Sequence, residues 1–192
     1  MRLFVAVELP QAVREVLGAG LGRLKGDQPP ARWVRVEGMH LTLKFLGEQP
    51  EEIIEGLDRA VPPALAPLPP VRVVLGGGGF FPHERRPRVA WVGGEAAGLE
   101  SWAGAVEEAA ASLGVPREPR PFSLHLTLAR LDRPWGVQAV ERFLVQVGKW
   151  RFPDFAPGEV VLFRSELGPA GAVYTALRRW PVGAPAGDGD GT

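Results

Sequence analysis

One polar quartet occurs twice in this chain and constrains its fold more than any other feature. His40-Leu41-Thr42-Leu43 is repeated as His125-Leu126-Thr127-Leu128, and the 192 residues contain this quartet nowhere else. The two histidines are 85 positions apart, and the strands that we expect to begin at residues 2 and 88 are 86 positions apart. Two nearly equal offsets indicate a duplicated structural unit.

Hydrophobic periodicity predicts the order of strands and helices around both copies. The predicted strands are 2–8, 39–46, 71–80, 88–93, 122–130, 159–166 and 172–179, and the predicted helices cover about 10–25, 50–57, 97–113 and 136–147. The proline-dense segment 62–70 is predicted to be a stiff connection, because proline interrupts both helices and central strands. Residues 181–192 are predicted to be a disordered tail.

These elements predict an α+β fold built from a duplicated βαβα unit in two lobes. The expected domain covers residues 1–180, with one repeat over about 2–80 and the other over about 88–179. Two mainly antiparallel sheets with outer helices would face each other across a central cleft. The strand order within each sheet stays open at this point.

Composition removes several classes of function. The chain has no cysteine, which excludes disulfides, thiolate metal sites and cysteine nucleophiles and suits a cytoplasmic protein. Its 22 basic and 22 acidic residues give no overall signature of a protein that wraps long nucleic acid. The apolar runs are too short to cross a bilayer, and Glu8 and Pro10 favour a first strand over a secretory signal.

Each quartet places a histidine and a threonine on the same side of a strand, because successive side chains point to opposite faces. A single pair of this kind is usually only a solvated strand face. Two copies related by approximate two-fold symmetry could instead surround one small anion. Two imidazoles can then act as acid and base near neutral pH, and two hydroxyls can donate to phosphoryl oxygens. This chemistry requires no metal or other cofactor.

Several segments carry a resemblance to a known family. HLTLKFLGE and HLTLAR, with RLFVAVELP at the start and FFP and RPRVAWVG in the middle, resemble the bacterial RNA 2',3'-cyclic phosphodiesterases. These proteins, historically called 2'-5' RNA ligases, belong to the two-histidine phosphoesterase superfamily with its repeated HxTx motif. The resemblance covers about residues 1–180. Relatives often carry proline before the second motif, where this chain has Leu124 after Ser123, and we expect no loss of activity from that departure.

The resemblance implies a hydrolase that opens 2',3'-cyclic phosphates at RNA ends, with tRNA halves among the candidate substrates, and leaves a 2'-phosphate. It maps the catalytic pair onto His40 as proton donor and His125 as proton acceptor. It also maps phosphate binding onto Thr42 and Thr127. We expect no cofactor, no metal, no membrane association and no obligate protein partner, and we expect a cytoplasmic monomer.

Two further basic residues could contact the substrate. Arg130 could bind phosphate, although strict strand alternation places it opposite His125 unless the strand bends or ends there. Lys44 shares the alternation of His40 and Thr42, so that it either faces the mouth of the cleft or is an exposed lysine at the rim of the sheet.

The segment 80–88, FFPHERRPR, mixes aromatic and basic residues as single-stranded RNA-binding loops do, and is otherwise a solvated turn. His83 within it has no partner at metal-ligand spacing, and we expect it to be a loop residue. The four glycines at 76–79 lack the lysine and the hydroxyl residue of a phosphate-binding loop, which argues against a nucleotide-binding motif there.

Other functions stay open on the sequence alone. The same chemistry could act on small cyclic nucleotides, and its reverse would join RNA by a 2'-5' bond when a 5'-hydroxyl replaces water. A non-catalytic RNA-end binding module would keep both histidines without turnover.

Overall fold

The computed structural model describes residues 1–168 and 171–183. The strands are β1 Arg2–Glu8, β2 Arg32–Trp33, β3 His40–Glu48, β4 Val74–Phe81, β5 Val89–Glu95, β6 Leu126–Arg130, β7 Glu159–Gly168 and β8 Gly171–Pro181. The helices are α1 Gln11–Asp27, α2 Ile53–Leu65, α3 Leu99–Ser112 and α4 Val137–Gly148, and Val36–Gly38 form a short 3-10 helix. None of the helices in these described ranges is long and apolar enough to cross a membrane.

The strands form two antiparallel sheets, which confirms the predicted α+β fold of two facing units. The first sheet has the order β3-β1-β7-β8, and the second has the order β2-β6-β5-β4. Each half of the chain contributes to both sheets, because β4 pairs with β5 and β7 pairs with β1. This exchange ties the two halves together, and the exact limits of the two repeats stay a prediction.

Alternation along β1 gives the first sheet two different faces. Leu3, Val5 and Val7 belong to the large apolar core that the helices cover. Phe4 points to the other side and packs with Phe163 of β7 in a small separate cluster. We call this second side the cleft face of the first sheet.

The prediction for segment 62–70 was wrong at its start, because α2 continues through Pro62 and Pro63 to Leu65. Val61 and Leu65 are fully buried, so the last turn of the helix is held by packing. Proline is costly in a helix chiefly through a lost hydrogen bond and a clash with the preceding turn. The turn still closes with a bond from the Ala66 N–H to the Pro62 carbonyl, 3.0 Å long.

Two predicted strands begin later than expected. β4 starts at Val74, and β6 starts at Leu126, so His125 lies immediately before its strand. The ladder between β5 and β6 ends at the pair Val92 and Leu126, which leaves residues 122–125 without a partner strand on that side. β8 extends to Pro181, and residues 184–192 of the predicted tail lie outside the described residues.

Candidate active site

The first motif lies at the start of β3, on the cleft face of the first sheet. Thr42 is paired with Ala6 of β1, and His40 with Glu8. Leu41 and Leu43 are buried in the core, while the His40 and Thr42 side chains are only partly buried. The alternation predicted for this motif therefore holds through its four residues.

Aromatic rings enclose the His40 imidazole. It stacks on Phe4, with ring centres 4.5 Å apart, and meets Tyr174 edge-on at 5.2 Å and Phe163 at 6.0 Å. Its Nδ1 lies 2.9 Å from the Gly38 carbonyl oxygen. A neutral ring that donates through Nδ1 to this carbonyl keeps the lone pair of Nε2 free for chemistry.

The pKa of His40 is lowered to about 4, chiefly by burial and to a smaller extent by the charges of Arg14 and His125, while the Gly38 carbonyl opposes the shift. The Arg14 guanidinium is fixed near this site by hydrogen bonds to the carbonyls of Val36, at 2.8 Å, and Leu9, at 3.0 Å. The strands that carry the two motifs, β3 and β6, contact each other.

The second motif repeats the anchor of the first. His125 Nδ1 lies 2.8 Å from the carbonyl of Ser123, two residues upstream, as His40 Nδ1 does from Gly38. The His125 ring meets Phe81 edge-on, with centres 4.9 Å apart. Leu126 and Leu128 are fully buried, and Thr127 is partly buried opposite Trp91 of β5. We call the side that carries Thr127 and Trp91 the cleft face of the second sheet.

Each motif has a one-residue irregularity in its ladder, at its fourth residue. On β6, Thr127 pairs with Trp91 but Ala129 pairs with Ala90, so Leu128 is the extra residue. Such a bulge reverses the alternation of the residues that follow it. Ala129 is consequently buried, and Arg130 pairs with Val89 on the face of Thr127. The bend that the sequence left open therefore brings Arg130 to the cleft face.

The same irregularity in β3 decides the position of Lys44, and both readings of Lys44 were wrong. Thr42 pairs with Ala6 while Lys44 pairs with Val5, so Leu43 is the extra residue and Lys44 turns toward the helices. Its side chain is 4% exposed and its Nζ donates to Glu107 Oε1 of α3 at 2.8 Å and to the Pro116 carbonyl at 2.7 Å.

Comparison with known proteins fits this arrangement. The family model of LigT-like phosphoesterases matches residues 7–91 and again 93–174. A Thermus thermophilus protein named RNA 2',3'-cyclic phosphodiesterase is 38% identical over 191 residues, covering 95% of this chain and 90% of its own length. An Archaeoglobus fulgidus protein of the same name is 33% identical over 182 residues, covering 93% and 98%.

Solved structures agree with the sequence relatives. The crystal structure of TT0787 of Thermus thermophilus superposes with a TM-score of 0.81 at 31% identity and covers 96% of this chain and 100% of its own. That of E. coli LigT complexed with 3'-AMP gives 0.73 at 28% identity, covering 94% and 97%. This chain belongs to the LigT-like phosphoesterase family.

The family model matches each half of this LigT-like phosphoesterase separately, and each half contains one HxTx motif. The resemblance stated from the sequence is thereby confirmed. His83, the remaining histidine, is exposed in the loop between β4 and β5, as expected. Within residues 1–168 and 171–183, no group of three or more histidine, aspartate or glutamate side chains is arranged to hold a metal ion.

Sequence reasoning missed the aromatic residues around His40 in this LigT-like site, which are Phe4, Phe163 and Tyr174. Phe81, which contacts His125, belongs to the segment 80–88 that the sequence singled out for its aromatic and basic residues. A signal was present in β1, where Phe4 alternates with core residues and so must lie on the other face. Tyr174 is the only tyrosine of the chain, but nothing in the sequence places β8 two strands away from β1 in the first sheet.

Proposed function

We propose that this LigT-like phosphoesterase hydrolyses the 2',3'-cyclic phosphate at the end of RNA and leaves a 2'-phosphate. His40 and His125 transfer the protons, and Thr42 and Thr127 donate hydrogen bonds to the phosphoryl oxygens. Arg130 adds a positive charge at the same face. The observation that carries the proposal is the repeated arrangement in which each histidine is anchored through Nδ1 to a carbonyl two residues upstream and keeps Nε2 free.

The reaction needs a proton acceptor and a proton donor on opposite sides of phosphorus. His125 takes a proton from water as the water oxygen attacks phosphorus. The bond between phosphorus and the 3'-oxygen breaks, and His40 gives its proton to that departing oxygen. The threonine hydroxyls hold the negative charge that grows on the phosphoryl oxygens. The direction of transfer follows the family resemblance.

His40 must carry a proton before it can donate one. Its pKa of about 4 in the ligand-free protein keeps the ring neutral at neutral pH. The negative charge of a bound cyclic phosphate favours the imidazolium form and raises the pKa. His40 is therefore protonated when the substrate is bound and neutral when the site is empty.

The proposed substrate is an RNA end, and tRNA halves are candidates within that class. Support comes from relatives in bacteria and archaea that carry the name RNA 2',3'-cyclic phosphodiesterase. The enzyme works as a cytoplasmic monomer without a cofactor or an obligate protein partner. The reverse reaction, with a 5'-hydroxyl in place of water, would join RNA through a 2'-5' bond.

Product analysis tests this function directly. An oligoribonucleotide that ends in a 2',3'-cyclic phosphate is incubated with the wild-type protein, with His40→Ala and with His125→Ala, each in EDTA. We expect the wild type to form the 2'-phosphate and both variants to lose activity by orders of magnitude. Full activity of either variant contradicts the proposed pair, and loss of wild-type activity in EDTA contradicts the metal-free mechanism.

The same assay separates the alternatives. Faster turnover of nucleoside 2',3'-cyclic phosphates than of oligonucleotides would indicate a small cyclic nucleotide as the substrate. Tight binding of the oligonucleotide without any product would indicate a non-catalytic RNA-end binding module.

A further inference from the structure

Lys44 is a buried charged residue that has no role in the mechanism above. Its Nζ donates to Glu107 Oε1 of α3 at 2.8 Å and to the Pro116 carbonyl at 2.7 Å, and both partners belong to the half of the chain that carries the second motif. The same Glu107 oxygen accepts a hydrogen bond of 3.0 Å from the backbone N–H of Glu118. Lys44 and Glu107 therefore hold residues 116–118 by two backbone atoms.

Residues 116–124, which we call the approach segment, lead from α3 to the second motif. Within the part of the chain that the structure describes, the exposed stretch 116–121 makes backbone hydrogen bonds to other elements only through the two bonds just described. Phe122 and Leu124 pack against the core. Apolar packing is non-directional, whereas hydrogen bonds fix distances and angles. The two polar bonds therefore determine where the start of the approach segment lies.

Prolines make the approach segment stiff between these bonds and the second motif. Proline occupies positions 116, 119 and 121. Each proline fixes its own φ angle and also restricts the residue before it. Two residues after the last proline, the Ser123 carbonyl lies 2.8 Å from His125 Nδ1 and anchors the ring. A displacement at the start of the segment is therefore passed on to the His125 imidazole.

Lys44 connects the approach segment to the first motif, because it directly follows that motif on β3. The bulge at Leu43 turns Lys44 away from the cleft face and toward α3. The Glu107 side chain is 19% exposed, so burial restricts both partners of the ion pair. Apolar replacement of a buried ion pair often costs little stability, whereas the pair itself can fix one arrangement of the chain. The Lys44–Glu107 pair thus joins the strand of His40 to the segment that ends at His125.

We propose that the Lys44–Glu107 pair positions His125 relative to the first motif. It acts through the approach segment and the Ser123 carbonyl, and neither side chain of the pair touches the substrate. This inference rests on the proposed function. It adds how imidazoles from two halves of the chain are kept at the separation that a single phosphorus requires.

The test removes the pair without leaving a buried charge. Lys44→Met with Glu107→Leu puts apolar side chains of similar size at both positions, and water can reach the backbone groups of the exposed residues 116–118. We expect this double variant to remain folded and to lose kcat on the cyclic-phosphate oligonucleotide roughly 10- to 100-fold, with KM changed by less than about twofold. A purely structural pair would affect stability alone, so wild-type kcat in the folded double variant would overturn the proposal.

An exposed ion pair between the same two elements provides the matched control. Arg117 of the approach segment pairs with Glu108 of α3, and their side chains are 57% and 67% exposed. Exposed ion pairs contribute little to the folded arrangement. Glu108→Ala should therefore leave kcat unchanged. A loss in Glu108→Ala as large as that in the double variant would contradict the assignment of the positioning role to Lys44 and Glu107.

Nuclear magnetic resonance of the imidazoles separates this proposal from the proposed function, because it needs no turnover. The chain has three histidines, so single His→Gln variants assign the ring signals. In the double variant we expect the ring nitrogen and Nδ1 proton signals of His125 to shift and those of His40 to stay. If the wild type does not hydrolyse the oligonucleotide, the proposed function fails and this expectation still applies. Unchanged His125 signals, or equal shifts of both rings, would overturn the positioning proposal.

Discussion

His40 and His125 occupy equivalent positions of the two motifs, and their surroundings differ. Three aromatic rings enclose His40, and burial together with the charges of Arg14 and His125 lowers its pKa to about 4. His125 lies just before β6 and, within residues 1–168 and 171–183, meets one aromatic ring, that of Phe81. Identical quartets therefore present two imidazoles of different character.

The difference fits a division between donor and acceptor in the proposed mechanism. The lowered pKa by itself favours a neutral ring, so His40 can act as donor only when the negative charge of the bound substrate raises that pKa. A ring at the more open edge can reach the attacking water, which suits His125 as acceptor. A duplicated strand alone would make the two histidines equivalent, so the difference between them comes from the elements that surround each motif.

The largest expected effect comes from removing either ring. His40→Ala and His125→Ala should each lower kcat on a cyclic-phosphate oligonucleotide by about 10²- to 10⁴-fold. Residues that act as one unit give strongly non-additive losses of rate. The kcat of the double variant should therefore be only slightly lower than that of the less active single variant. Single-turnover rates of all four proteins measure this. Multiplication of the two losses would mean that the two histidines contribute to the transition state independently of each other.

A second prediction concerns Lys44, which is a buried charged residue directly after the first motif. The equivalent residue after the second motif, Ala129, is uncharged. Lys44→Ala leaves the Glu107 carboxylate without its buried partner and should destabilise the protein by about 3–5 kcal/mol. Replacing the pair together, as Lys44→Met with Glu107→Leu, should cost far less. Urea unfolding measures both. A single variant as stable as the wild type would show that the ion pair does not support β3.

The threonines test whether the motifs share one phosphate. Thr42→Val and Thr127→Val each remove one hydrogen-bond donor and should lower kcat by roughly 10²-fold without changing the fold. Thr175→Val on β8, an exposed threonine, is the control and should have no effect. A loss for only one of the two motif variants would mean that the phosphate is held by a single lobe.

The smallest effect is on stability against pH. The pKa of His40 in the folded protein lies near 4, below the value of about 6.5 expected when unfolded, so the unfolded state binds more protons between these values. The part of the free energy of unfolding that depends on His40 therefore has its full value above about pH 6.5. It falls by up to about 3 kcal/mol as the pH decreases toward 4. His40→Gln should flatten that part of the pH–stability curve in denaturant titrations. An unchanged slope would contradict the burial of His40.

Much of the fold and the centre of the site could be read from the sequence. The HLTL duplication located both motifs, since alternation in a strand fixes which side chains share a face. The alternation rule gave the wrong face for Lys44, because the bulge at Leu43 depends on how β1 and β3 pair and cannot be recognised from the sequence of β3 alone. The rings around His40 were missed because Phe163 and Tyr174 reach it through strand order, which pairing across the whole chain decides.

A sulfur substitution in the substrate tests most directly that one phosphorus lies between a donor and an acceptor. In a 2',3'-cyclic phosphate with sulfur in place of the bridging 3'-oxygen, the leaving thiolate needs far less protonation than an alkoxide. We predict that this substrate restores most of the lost rate to His40→Ala and little to His125→Ala, measured as thiol release. Equal rescue of both variants, or of neither, would contradict the account.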